Sequence, residues 1–209
     1  MQRVDVWFPR TIPGTKCIHG IDYGDGTYVA VGDGIFTSRD GITWSKRYTT
    51  KDAHVYDVTF DGTRFIAITP ERRPDPGWKG CYNDYLYALI SADGGVNWHP
   101  GVVSSLQGYA IANAAVPGRC VAVGSDIRTL RDGSETWQVT NDHSFSGYFH
   151  DICVGKDSGG KDLFVAVGES GLGDPTWTPY TAISHDGVHW QVGSGDFEGL
   201  FVSVRSRAA

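Results

Sequence analysis

Ser91-Ala-Asp-Gly-Gly-Val-Asn-Trp98 decides the fold, because its pattern returns three more times, at Ser38-Arg-Asp-Gly-Ile-Thr-Trp44, Leu130-Arg-Asp-Gly-Ser-Glu-Thr-Trp137 and Ser184-His-Asp-Gly-Val-His-Trp190. Asp-Gly is hairpin chemistry: the carboxylate accepts backbone N–H groups and glycine supplies positive φ. Upstream of each copy lies a short apolar run: Tyr28-Val-Ala-Val-Gly32, Phe65-Ile-Ala-Ile-Thr69, Cys120-Val-Ala-Val-Gly124 and Phe164-Val-Ala-Val-Gly168. Before each run stands another strand candidate, Ile18 to Tyr23, Val55 to Phe60, Ile111 to Val116 and Phe149 to Val154, often followed by a turn such as Asp25-Gly26, Asp61-Gly62 or Pro117-Gly118. The unit therefore reads strand, turn, strand, loop, strand, Asp-Gly turn, Trp-headed strand. Four antiparallel strands in roughly 40 residues are one propeller blade, which buries its faces against its neighbours. No segment carries a sustained 3.6-residue period, so helices should be scarce.

The predicted fold is all-β, a propeller of about five blades in a single domain spanning residues 1–209. Four blades are the full repeats. The fifth is composite, with Val4-Asp-Val-Trp-Phe-Pro9 as its Trp-headed last strand beside a strand in Phe197-Glu-Gly-Leu-Phe-Val-Ser-Val204. Closure of this kind removes exposed sheet edges. A composite blade is short of strands, so the expectation includes an oligomer or a partner chain that completes it.

Composition narrows the function. Lys plus Arg number 18 against 24 Asp plus Glu, a formal charge of −6, whereas nucleic-acid surfaces need clustered basic charge. Glycine at 28 of 209 residues marks a turn-rich chain, and 26 aromatics supply a core. No stretch has the ~20 predominantly apolar residues of a membrane helix, and residues 1 to 15 lack the apolar run of a secretory signal. The expectation is neither nucleic-acid binding nor membrane insertion. Cys17, Cys81, Cys120 and Cys153 are far apart, which reads as free thiols, and without a close cysteine or histidine pair no metal is expected. No cofactor is expected either.

From Ser91 to Trp98 the sequence fits Ser-x-Asp-x-Gly-x-x-Trp and resembles the Asp-box, or BNR, repeat. Two copies are one residue shorter, and Leu130 replaces serine in a third. The resemblance implies a structural turn between the third and fourth strands of each blade, with Asp40, Asp93, Asp132 and Asp186 as turn-formers and Trp44, Trp98, Trp137 and Trp190 packed between sheets. The repeats are similar to those of bacteriophage tail and appendage proteins, over about residues 17 to 204. They also resemble uncharacterised bacterial propellers and, with different flanks, a photosystem assembly factor. The resemblance implies a virion component made in the host cytoplasm, whose partners are other virion proteins or a cell-surface glycan or receptor. The alternative is a cytoplasmic carbohydrate- or protein-binding propeller.

Asp-box propellers include sialidases, which places a glycosidase among the possibilities. Phe8-Pro-Arg-Thr-Ile-Pro13 approaches the Arg-Ile-Pro motif of that family, but the inserted Thr11 moves Arg10 to the other side of a strand. Glu71, Glu135, Glu169 and Glu198 lack diagnostic flanks for a carboxylate pair. Ser184-His-Asp186 opens a turn and is no triad, and His185 and His189 would meet only on a helix. The expectation is no enzyme.

Two insertions between second and third strands remain: Pro70 to Tyr85 and Glu169 to Tyr180. Loops at that point leave a blade on the side of the interblade connections. The expected partner-binding residues are therefore Trp78, Tyr82, Tyr85, Trp177 and Tyr180 with Arg72 and Arg73, since exposed rings beside arginine anchor interfaces.

Overall fold

A computed structural model describes residues 8–50, 54–74, 82–101, 108–113, 119–131, 134, 136–140, 147–170 and 178–194. The described residues contain sixteen strands and no helix. They build four antiparallel sheets, each with its strands in chain order. The first blade is β1 (Ile18–Gly24), β2 (Thr27–Gly32), β3 (Ile35–Ser38) and β4 (Ser45–Tyr48). The second is β5 (Asp57–Phe60), β6 (Phe65–Pro74), β7 (Tyr82–Ser91) and β8 (His99–Pro100). The third is β9 (Gly108–Asn113), β10 (Arg119–Gly124), β11 (Ile127–Arg131) and β12 (Trp137–Val139). The fourth is β13 (Gly147–Lys156), β14 (Asp162–Ser170), β15 (Thr178–Ser184) and β16 (Gln191–Ser194). Neighbouring first strands touch in the order β1, β5, β9, β13, which sets them around one axis. This is a β-propeller of about five blades, four of them within the described residues. Residues 4 to 7 and 197 to 204, assigned to the composite blade, lie outside them.

Local chemistry forms each blade. Asp25 and Gly26 both have positive φ, 45° and 70°, so they make the tight primed turn that suits the twist of the β1–β2 hairpin. Period-2 alternation then sends Val29 and Val31 to one side of the first blade and Tyr28 and Ala30 to the other. Val29, Val31, Phe65, Ala67 and Leu89 form the core between the first and second blades. Ile66, Ile68, Ile111, Cys120 and Trp137 do so between the second and third. Val121, Val123, Phe149, Phe164 and Ala182 fill the space between the third and fourth. Burial pushes the Cys120 thiol up, far from reactivity; Cys81 lies outside the described residues.

The Asp-Gly turns hold themselves together. Oδ1 of Asp40 accepts the backbone N–H groups of Ile42 at 2.8 Å and Thr43 at 2.7 Å, and Oδ1 of Asp186 accepts those of Val188 at 2.9 Å and His189 at 2.8 Å. Ser38 Oγ and Ser184 Oγ each accept the N–H of the glycine three residues on. In the longer copy the serine reaches one residue further, Gly95 N to Ser91 Oγ at 3.0 Å. Consecutive positive φ at Gly94 and Gly95, 72° and 82°, absorb the extra residue. Asp132 and Gly133 lie outside the described residues.

These turns also fasten blade to blade. A Cβ on Gly95 would stand 2.9 Å from Thr37 Cγ2 of the first blade, and one on Gly187 2.9 Å from Val121 Cγ2 of the third. Arg64 at the start of β6 donates to the Ser134 carbonyl at 3.0 Å, and Arg119 at the equivalent place in β10 donates to the Asp186 carbonyl. The turns of the second, third and fourth blades therefore dock on the preceding blade, which makes a local repeat signature an interblade clasp.

Acid should loosen this arrangement. Hydrogen bonds from the Asn97 backbone and side chain, then from Ser91, hold Asp93 down at about 2 against 3.8 unperturbed. Its folded value is depressed, so the stabilisation is present above about pH 4 and is lost as pH falls through 2. Asp93→Ala should cost about 1 kcal/mol at neutral pH, since water competes at this exposed carboxylate. Urea midpoints at pH 6, 3 and 2 check this: the gap between wild type and variant should shrink toward pH 2, and a constant gap would refute the assignment.

Candidate functional site

The entry ends of the first strands carry the residues best placed for function. Three of these strands pair irregularly at one repeat position. In β1, Ile18 pairs with Gly32 and Gly20 with Val31, which leaves His19 as the bulged residue. In β13, Phe149 pairs with Gly168 and Asp151 with Val167, which leaves His150. In β9, Ala110 pairs with Val123 and Gly108 with Gly124, which leaves Tyr109. Register places Tyr56 at the same position in the second blade, one residue before β5 begins. Bulges re-aim side chains and concentrate near functional sites. Backbone register thus puts positions 19, 56, 109 and 150 at corresponding points around the axis.

Around His19 the first two blades assemble a cluster. Cys17 Sγ lies 3.4 Å from His54 Nδ1. The His19 ring stands edge-on to His54 with centroids 5.3 Å apart and to Tyr56 at 6.3 Å. The backbone fixes these positions: the Cys17 carbonyl accepts from Thr15 Oγ1 at 2.9 Å, the His54 carbonyl from Thr69 Oγ1 at 3.2 Å, and Val55 N donates to the Gly32 carbonyl at 2.7 Å. Asp33, in the short β2–β3 turn, accepts from Thr15 Oγ1 and Lys16 N. Those bonds, Thr15 foremost, keep its carboxyl below the usual range, with Lys46 and His54 adding to the effect. In the fourth blade His150 Nε2 lies 3.1 Å from Glu169 Oε1.

The described parts of the insertions expected as loops are strand. β6 and β7 stay paired through Glu71↔Tyr85, Arg72↔Asp84, Arg73↔Asn83 and Pro74↔Tyr82, and β14 and β15 through Gly168↔Tyr180 to Ser170↔Thr178. β5 pairs with β6 only as far as Ile68. Pro74 thus stands about 20 Å past Ile68 at the usual rise per residue. Pairing of backbone groups makes a tall hairpin cheaper than an unpaired loop of equal length. Arg72, Arg73, Tyr82 and Tyr85 lie on this hairpin, while Trp78 and Trp177 fall outside the described residues. Tyr180 corrects an expectation: it is 4% exposed, packed on Phe149 at 5.0 Å, and is a core residue of the fourth blade. Its place on β15 sends the ring to the face shared with the third blade, so it is unavailable as an interface anchor.

Sequence reasoning missed the Cys17, His19 and His54 grouping. His54 comes from the next blade, 35 residues beyond His19, so no short motif announces it. The available signal was the alignment of first strands, which puts His19, Tyr56, Tyr109 and His150 in one column.

No protein-family model and no curated protein matches the sequence. Among solved structures, one similar chain is a protein of unknown function from Dyadobacter fermentans, at 19% identity and a TM-score of 0.48 over 85% of this chain and 61% of that one. This chain therefore spans less than two thirds of that protein's length. Another is a mutant of an alpha-L-arabinanase from Cellvibrio cellulosa, at 13% identity and a TM-score of 0.42 over 80% of this chain and 70% of that one.

Proposed function

We propose that this propeller is a non-catalytic recognition module of a bacteriophage particle, and that it meets a neighbouring virion protein or a surface glycan through the face bearing the tall hairpins. The observation that carries this reading is geometric: hairpins β6–β7 and β14–β15 belong to alternate blades and extend at the entry ends of the first strands, where His19, Tyr56 and His150 sit. The first and third blades have short turns at that end. The Asp-box identity of the repeats belongs to the same proposal, and the serine and aspartate hydrogen bonds of the turns are what a structural box requires. The phage assignment rests on the form of the repeats. Burial, with Glu169 adding to it, pushes the Tyr180 phenol up to about 12. That is opposite to what a phenolate nucleophile needs, so this tyrosine suits a packing role.

The test pairs binding with stability. Trp78→Ala and Trp177→Ala should weaken capture on a glycan array, or incorporation into purified particles measured by mass spectrometry, at least tenfold. Aromatic anchors commonly contribute ~2 kcal/mol or more, and ~1.4 kcal/mol is already tenfold. Their melting temperatures should stay put, whereas Tyr180→Ala should lower the melting temperature by several degrees. If the tryptophan variants melt early and bind fully, the rings are loop staples and the reading fails.

A further inference from the structure

We propose that Cys17, His19 and His54 form a binding site for a zinc-class divalent transition metal, one that ties the first strand of the first blade to that of the second and keeps an open coordination position. A thiolate and two imidazoles are a borderline-soft donor set, suited to zinc and unsuited to calcium or magnesium. Ligand atoms of the three side chains all lie within 4.8 Å of one another. In a tetrahedral site with Zn–S ≈ 2.3 Å and Zn–N ≈ 2.0–2.1 Å, neighbouring ligand atoms are separated by about 3.3–3.6 Å. The 3.4 Å from Cys17 Sγ to His54 Nδ1 already has that length. His19 and His54 are exposed and Cys17 is half-buried, so His19 needs only a rotation of a surface ring to close the third edge.

The chain around the cluster is fixed, which keeps the ordering cost of binding small. Cys17 is pressed so closely on Gly32 that a Cβ there would stand 2.0 Å from the Cys17 carbonyl. The Thr15 and Thr69 hydroxyls hold the carbonyls of Cys17 and His54. The Asp33 carboxylate interacts electrostatically with His54 and favours added positive charge there, and Lys46, which also acts on Asp33, opposes it in part. Binding replaces the contact between thiol and imidazole with two metal–ligand bonds, and the thiol proton leaves to solvent. Three protein ligands on an exposed face leave the fourth position to water.

Fully reduced protein titrated with Co(II), a coloured stand-in for zinc, should develop a saturable thiolate-to-metal charge-transfer band at one equivalent, with visible bands of tetrahedral intensity, and Zn(II) should abolish both. Cys17→Ala should remove the charge-transfer band, His19→Ala and His54→Ala should weaken binding at least tenfold, and Cys153→Ala should leave it unchanged. Without any substitution, Zn(II) should slow alkylation of Cys17 at least tenfold, read by peptide mass spectrometry, and release about one proton per metal bound in weak buffer. No saturable charge-transfer band in the reduced wild type, or a band surviving in Cys17→Ala, overturns the site. Metal binding without any effect on partner capture leaves it intact, so it stands or falls separately from the recognition reading.

Discussion

Gly168→Ala and Gly32→Ala are expected to abolish or nearly abolish the folded state, with losses above about 4 kcal/mol, the range kept for a few severe mechanisms. A Cβ on Gly168 would sit 2.0 Å from the Tyr148 carbonyl oxygen and 2.8 Å from Phe149 Cα, and one on Gly32 2.0 Å from the Cys17 carbonyl oxygen. The opposing atoms are backbone of, or immediately before, the first strand of a blade, so no side chain can swing away. Relief requires parting two paired strands beside the bulge that aims His150 or His19. In the second blade Thr69 takes this position, and there the first strand begins pairing only at Asp57, as expected where a side chain keeps the backbones apart. Gly26→Ala is the control: φ is 70° with nothing within 4 Å, so only left-handed strain of about 1–2 kcal/mol applies. Urea unfolding followed by tryptophan fluorescence decides the matter. A Gly168→Ala protein within 1.5 kcal/mol of wild type, a margin that residual strain alone would fill, sinks the close-approach argument.

Phe65→Ala and Phe164→Ala should each cost about 3–5 kcal/mol, the usual loss for a large ring removed from a packed core. The equivalent Tyr28→Ala should cost under about 1 kcal/mol, as surface changes do. All three residues hold the same repeat position on the second strand of their blade, and Phe65 and Phe164 point toward the preceding blade. Phe65 is fully buried and Phe164 is 1% exposed, whereas Tyr28 is 36% exposed and lies on Tyr23, itself 54% exposed. Ile21 follows the same rule, being 58% exposed while its counterparts Val58, Ile111 and Ile152 are each 4% exposed. Guanidinium denaturation of the three variants, with slopes compared to verify two-state behaviour, checks the contrast. Equal losses at Tyr28 and Phe65 would mean that the first blade is covered in solution as fully as the others.

These contrasts separate what is written locally from what is assembled. Strand identity, strand order and the Asp-Gly turns follow from features within about eight residues: period-2 alternation, positive φ at glycine, and a carboxylate two to four residues from the N–H groups it accepts. Such interactions close with little chain entropy, so the sequence by itself determined four four-stranded units and the chemistry of their turns. It also supplied two insertions at equivalent points of their repeats, but a run rich in proline, glycine and aromatics resembles a loop until its two arms are seen to pair. The tertiary structure alone decided that Tyr180 faces the third blade and that Arg64 and Arg119 clasp the turn of the next blade. It alone gathered Cys17 and His19 of one blade with His54 of the next, and left Tyr28 uncovered where Phe65 is sealed. The physical reason is that these outcomes depend on contacts 35 residues or more apart, set by how one twisted sheet seats against another. One repeat carries the same residues to the same place in its own sheet, yet burial, charge and chemistry there are fixed by whatever the neighbouring blade presents.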